Sequence, residues 1–303
     1  MGIRRKVMAK RLGVMTLSGR EFKVKDFKLI KETISLFPAL SRQELSKTLC
    51  EILEWYQADG EPKYLSCQKV LEKLEAWGHI KLPPLIKQNK GYHHKVVITE
   101  KSDPEALIFG QVDEYGPIVI EAINDREQGR LWSEYIQRYH YLGHRNAFGS
   151  QQKYFICFDS GRLLGCILYS ASAWAVACRD KWIGWNKDER VKNLHLILSQ
   201  SRFLIFPWIK VKNLASKVLS LSAKQVQKDW LRRYNFQPVM LESFVDRDRF
   251  TGTCYKAAGW KYLGITTGRG RMDRHTRYLS SPKDVYVLPL CKELRIHLRG
   301  EAG

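Results

Sequence analysis

The stretch 194–265 constrains the fold most, because β-rich runs alternate there with apolar residues at helical spacing. It predicts, in chain order, a strand over 194–205, a helix over 211–226, a strand over 239–245, a short helix over 252–258 and a strand over 261–265. Two further β-rich runs, 154–158 and 163–169, flank the turn residues Asp159-Ser160-Gly161 and predict a hairpin. The alternation indicates a mixed α/β domain, which we place over 106–295.

The N-terminal part follows a different pattern. Ser41 and Glu44 form a capping box at the start of a helix, and a later helix carries Leu65 to Trp77 and stops at Gly78. We therefore predict an α+β protein in which a helical, winged-helix-like module precedes the α/β domain. The expected division is a basic arm over 1–25, this module over 26–84, a linker or wing over 85–105 and the second domain over 106–295.

The charge of the chain indicates its partner. Its 303 residues carry a formal net charge of +20, which favours a polyanion through counterion release. Nucleic acid is the usual polyanion, and we expect DNA rather than RNA; a basic protein kept soluble by its charge is the alternative. The seven cysteines show no Cys-x-x-Cys spacing, and no apolar run reaches membrane-spanning length. These features predict a cytoplasmic protein without a membrane partner.

A basic segment near the C-terminus suits phosphate. Gly268 and Gly270 would let the backbone approach an anion closely, while guanidinium groups bind phosphate through two parallel hydrogen bonds. The arginines that we expect to do so are Arg269, Arg271, Arg274 and Arg277. Trp185, in a predicted aromatic loop over 182–185, could stack on an unpaired base. A solvated turn is the alternative interpretation of the segment.

Two carboxylates offer a different chemistry. Glu242 and Asp246 lie on one face of a predicted strand by its period of two, and together they could bind Mg²⁺ for metal-dependent cleavage or strand transfer of a nucleic acid. The alternative is that they form ion pairs with nearby arginines such as Arg249, Arg269 or Arg271. The spacing alone leaves both open.

Several segments resemble those of the DruA family, which is named for a component of the Druantia anti-phage defence system. They are RYHYLG (138–143), IGW (183–185), SRFLI (201–205), NLAS (213–216), LESFVD (241–246), GTCYKAAGW (252–260) and TGRGR (267–271). With a segment over 74–84, the resemblance extends from about residue 25 to 290. It implies a role in phage defence or on mobile elements, with defence-system proteins as partners, and implies no particular chemistry.

The layout of the second domain also resembles the N-acetyltransferase (GNAT) fold, in which a splayed strand leads into a glycine-containing loop that holds a pyrophosphate. The corresponding loop here begins with Lys210 and Lys212, and Asn213 stands where the first glycine belongs. That change argues against acetyl-CoA as a cofactor. Tyr255 matches the tyrosine that protonates the leaving thiolate in such enzymes, or it packs in the core. Nucleic-acid binding, with Lys210, Lys212 and Asn213 contributing, is therefore our first expectation, ahead of a nuclease and an acyltransferase.

Overall fold

A computed structural model of the chain describes residues 13–300 except 39, 59, 85–95, 146, 148 and 269–280. The described residues divide into two compact units. The first lies within 1–89 and 233–235, and the second within 90–232 and 236–303.

The first unit consists of a β-hairpin followed by helices. Its elements are β1 (Met15–Leu17), β2 (Arg20–Phe22), α1 (Val24–Leu36), α2 (Arg42–Ile52) and α3 (Tyr64–Ala76). The predicted capping box is confirmed, since the Glu44 N–H donates to Ser41 Oγ (3.2 Å) and the Ser41 N–H donates to Glu44 Oε2 (3.0 Å). Helix α3 buries Val70, Leu71 and Leu74 on one face, whereas Leu65 at its start is 61% exposed.

The hairpin lies within the segment predicted as a basic arm, so residues 15–22 differ from that prediction. Leu17 and Phe22 are buried, which fixes the hairpin on the helices. The winged-helix layout stays a prediction, because 85–95 of the predicted linker or wing over 85–105 lies outside the described residues.

The second unit is built on a mixed β-sheet. Its elements are β3 (Ile108–Gln111), β4 (Ile118–Ala122), α4 (Arg126–Tyr139), β5 (Gln151–Phe158), β6 (Leu163–Ala171), α5 (Ala177–Ile183), α6 (Lys187–Asn193), β7 (Ile197–Ile205), β8 (Ile209–Lys212), α7 (Leu214–Tyr234), β9 (Met240–Asp246), α8 (Thr253–Ala257), β10 (Lys261–Ile265), β11 (Lys283–Pro289) and α9 (Leu294–Arg299). Seven strands form one sheet in the order β10-β11-β9-β7-β6-β5-β4, while β3 and β8 form a separate parallel pair. The hairpin predicted around Asp159-Ser160-Gly161 is confirmed as β5 and β6.

At the centre of the sheet, one pair of neighbouring strands is parallel. Strands β7 and β9 are parallel and joined by α7, whereas the other neighbours in the sheet are antiparallel. Tyr169 of β6 pairs with Gln200 and Leu168 pairs with Arg202, so Ser201 is an extra residue that forms a β-bulge. Pairing of β7 with β9 ends at Gln200 and Ser243, although both strands continue. A bulge bends its strand, and this one accounts for the separation of β7 from β9.

None of the described helices combines the length and the apolar character that a membrane span requires.

Candidate functional site where two parallel strands separate

A buried polar group occupies the point at which β7 leaves β9. The Tyr255 hydroxyl donates to Gln200 Oε1 (2.6 Å), and Ser243 Oγ donates to the Tyr255 oxygen (3.1 Å). Gln200 and Ser243 are the last paired residues of the two strands, so α8 places its tyrosine at the apex of the opening. Tyr286 stacks on the Tyr255 ring at 5.3 Å between centroids, and burial raises the pKa of the Tyr255 hydroxyl.

Charged side chains gather beyond this apex, near the end of β9. Asp246 ends the strand and pairs in register with Lys283 of β11. Arg202, just after the bulge, donates from Nη1 to Ser201 O (2.7 Å) and from Nε to Gly143 O (3.3 Å), which ties β7 to the segment after α4. In the described residues, no carboxylate lies within ion-pair distance of Arg202.

Tyr141, in the segment after α4, lies near these charged side chains. The Arg249 guanidinium lies 4.9 Å from the centroid of its ring, and His140 stacks on it at 4.9 Å between centroids. Burial and the nearby charge of Asp246 raise the pKa of the Tyr141 hydroxyl. We call Tyr141, Arg202, Asp246, Arg249 and Lys283 the mouth cluster.

The mouth cluster has a surplus of positive charge. Burial lowers the pKa of Lys283, and neighbouring Arg202 lowers it further while Asp246 only partly offsets them. Burial also lowers the pKa of Arg202, with Arg145 acting in the same direction. Burial, Arg202 and Lys283 together lower the pKa of His140 to about 4, so His140 is neutral at pH 7. An anion at this place would relieve the repulsion between the cations.

The sequence analysis considers Glu242 and Asp246 as a joint Mg²⁺ site, but their positions on β9 are too far apart for them to bind one ion. Four residues along an extended strand span roughly 13 Å, too far for Glu242 and Asp246 to bind one ion. Glu242 Oε2 accepts from Arg179 Nη1 (2.7 Å) and Glu242 Oε1 accepts from the Ala173 N–H (2.8 Å), with both charged side chains fully buried. The ion-pair alternative therefore describes Glu242, with an arginine that the sequence analysis did not name. Within the described residues, no group of three or more His, Cys, Asp or Glu side chains is arranged to hold a metal.

Trp185 does not lie where a base could stack on it, contrary to the sequence-based expectation. Its side chain is only 8% exposed and packs with Ile183, Leu194 and Met240 in a hydrophobic cluster. The predicted aromatic loop is instead the end of α5, which stops at left-handed Gly184 and turns Trp185 inward.

The predicted phosphate loop is shorter than the sequence indicates. Lys210 and Lys212 are exposed on β8, and Asn213 alone forms the turn into α7. Asn213 has a φ of 63°, the left-handed conformation that favours glycine and that asparagine tolerates. Its backbone thus takes the form that a glycine would, while its side chain remains at the start of the helix.

The predicted arginines Arg269, Arg271, Arg274 and Arg277 lie outside the described residues. The chain enters this segment after β10 and leaves it at Lys283, and Ile265 pairs with Asp284 in the sheet. Ile265 and Lys283, which precede and follow this segment, therefore lie at the same end of the sheet as Asp246. Sequence reasoning missed Arg202, Tyr141 and Lys283 as site residues, although the first two lie in segments that carry the DruA resemblance.

A mixed sheet whose two central strands start as a parallel pair and then separate defines an α/β protein of N-acetyltransferase-like layout. Within that class, the chain belongs to the DruA family, since the sequence pattern described as "Druantia protein DruA" matches residues 73–281. Among curated proteins, none matches the chain.

Solved structures with a similar layout are acetyltransferases. Spermidine N-acetyltransferase from Vibrio cholerae, in complex with CoA and spermine, has 10% identity and a TM-score of 0.37, and the match covers 59% of this chain and 98% of that one. Ribosomal-protein-S18-alanine N-acetyltransferase from Escherichia coli has 10% identity and a TM-score of 0.36, covering 57% and 94%. At such low similarity, neither match bears on activity.

Proposed function

We propose that this protein binds nucleic acid, DNA in preference to RNA, through phosphate contacts at the mouth cluster. The observation that carries the proposal is the gathering of Arg202, Arg249 and Lys283 near Asp246, at the end of the sheet where β7 and β9 no longer pair. Burial lowers the pKa values of Lys283 and Arg202, and a neighbouring arginine lowers each further, so a bound phosphate would stabilise the charged forms of both side chains.

Two further sets of cations support the proposal. Lys210 and Lys212 are exposed on one face of β8, beside the start of α7. The second set is the run of Arg269, Arg271, Arg274 and Arg277, which lies outside the described residues and stays a prediction from the sequence. Membership of the DruA family supports a role for such binding in phage defence, with defence-system proteins as further partners.

Replacement of Lys283 tests the proposal. Lys283→Gln should weaken binding of a labelled oligonucleotide at low salt and reduce the slope of log Kd against log salt by about one. Lys224→Gln is the matched control, since it removes the same charge from an exposed position of α7. Equal effects of the two variants would mean that binding follows overall charge and that the mouth cluster is not the site.

Acyl transfer is the second candidate, and the position of Tyr255 favours it. The Tyr255 hydroxyl lies at the apex of the strand separation, on the short helix where the acetyltransferase resemblance expects a tyrosine. Against it, this hydroxyl is buried and already bonded to Gln200 and Ser243. Titration calorimetry with acetyl-CoA should detect no binding tighter than about millimolar. Micromolar affinity for acetyl-CoA would instead support acyl transfer as the function.

A further inference from the structure

An exposed aromatic ring adjoins the mouth cluster. The Phe250 side chain is 52% exposed, although the ring contacts Tyr141 edge-on with 5.8 Å between centroids. The Tyr141 ring also contacts Arg249 and His140, and these contacts restrict its position. An isolated exposed phenylalanine is common, but this one contacts Tyr141 of the mouth cluster, over whose ring the Arg249 guanidinium lies.

The turn that carries Phe250 is anchored to the same residue as the cations. The N–H groups of Phe250 and Arg249 donate to Asp246 O at 2.9 and 3.3 Å, and the Asp248 N–H donates to Asp246 Oδ1 at 3.1 Å. Asp246 is also the register partner of Lys283. This turn thus holds Phe250 and Arg249 beside the strand position that pairs with Lys283.

We infer that the mouth cluster and Phe250 together form a binding site for one unpaired nucleotide, with the base against Phe250 and its phosphate at Lys283 and Arg202. This inference rests on the proposed function and specifies its substrate class. A duplex offers phosphates but keeps its base faces inside the helical stack, whereas a single strand or a displaced base can stack on an aromatic side chain. The site therefore selects unpaired over paired nucleic acid.

Comparison of two oligonucleotides tests the inference. A short oligo-dT and an abasic strand of equal length carry the same phosphates, so fluorescence anisotropy at low salt isolates the contribution of the base. The wild-type protein should bind oligo-dT roughly tenfold more tightly, the effect of one stacked base. Phe250→Ala should abolish this preference and leave the affinity for the abasic strand unchanged, while Phe250→Trp should retain the preference.

Phe109→Ala is the matched control, because it removes a 70% exposed phenylalanine from β3 and should leave the preference intact. Equal wild-type affinities for the two strands, or an undiminished preference in Phe250→Ala, would overturn the inference while the proposed function stands. Failure to bind either strand at low salt would instead overturn the proposed function, and the two failures are therefore distinguishable.

Discussion

At the scale of single residues, the position of Glu242 depends on Arg179. Both side chains are fully buried, and burial alone would lower the pKa of Arg179; Glu242 and Asp180 more than offset this and raise it. Glu242→Gln would leave the arginine incompletely compensated, so we expect the free energy of unfolding to fall by about 3 kcal/mol. Urea unfolding at pH 7 measures this change.

The control replaces both charged partners. The Arg179→Met, Glu242→Leu double variant should lose less stability than Glu242→Gln, because no buried charge is left unpaired. Asp180 retains Arg190 as a partner at 3.1 Å in that variant. If Glu242→Gln is fully stable but loses a divalent-dependent cleavage of DNA, Glu242 acts in catalysis and the structural role is wrong.

Three histidines give the protein a defined response to acid. Burial lowers the pKa of His140, His144 and His195 to about 4 in the folded state. The unfolded chain, with ordinary histidines, then binds more protons between about pH 4 and 6.5. The stability that these residues contribute is therefore complete above pH 6.5 and is lost as the pH falls toward 4.

Urea unfolding at pH 5 and pH 7 checks this sign. The wild-type protein should lose more stability between the two values than the His140→Gln, His195→Gln double variant, which lacks two of the titrating groups. An equal loss in both proteins would mean that neither His140 nor His195 contributes to the acid sensitivity.

At the scale of elements, Asn213 decides how α7 begins. Its left-handed backbone costs an alanine about 1 kcal/mol and a glycine nothing. We therefore expect Asn213→Ala to be less stable than wild type and Asn213→Gly to match it. If the asparagine side chain is what keeps acetyl-CoA away, calorimetry should detect acetyl-CoA binding in Asn213→Gly alone; no binding in either variant would remove this loop from consideration as a cofactor site.

Elements with strong local signals were predictable from the sequence. The Asp159-Ser160-Gly161 turn and the Ser41–Glu44 capping box both act through neighbouring residues, and both are confirmed. The bulge at Ser201 has no such local signal, because it exists only through the pairing of β7 with β6. The separation of β7 from β9, and with it the mouth cluster, therefore could not be located from the sequence.

The same distinction applies to the site residues. The period of two correctly places Glu242 and Asp246 on one strand, but the sequence pattern does not show the approach of Arg179 from α5, which pairs with Glu242. Trp185 was misassigned because burial of an aromatic residue after a glycine depends on the packing of α5 and α9 beyond it.

At the scale of the whole molecule, the net charge of +20 predicts how binding responds to salt. Each phosphate neutralised by a lysine or arginine releases condensed counterions, so affinity for DNA falls steeply as salt is added. If about six phosphates are contacted, the affinity should drop by roughly 10³ between about 50 and 200 mM monovalent salt. Anisotropy titrations of one oligonucleotide across this range give the slope directly. A flat response, or no binding at the lowest salt, would show that the charge of this protein serves something other than a nucleic acid.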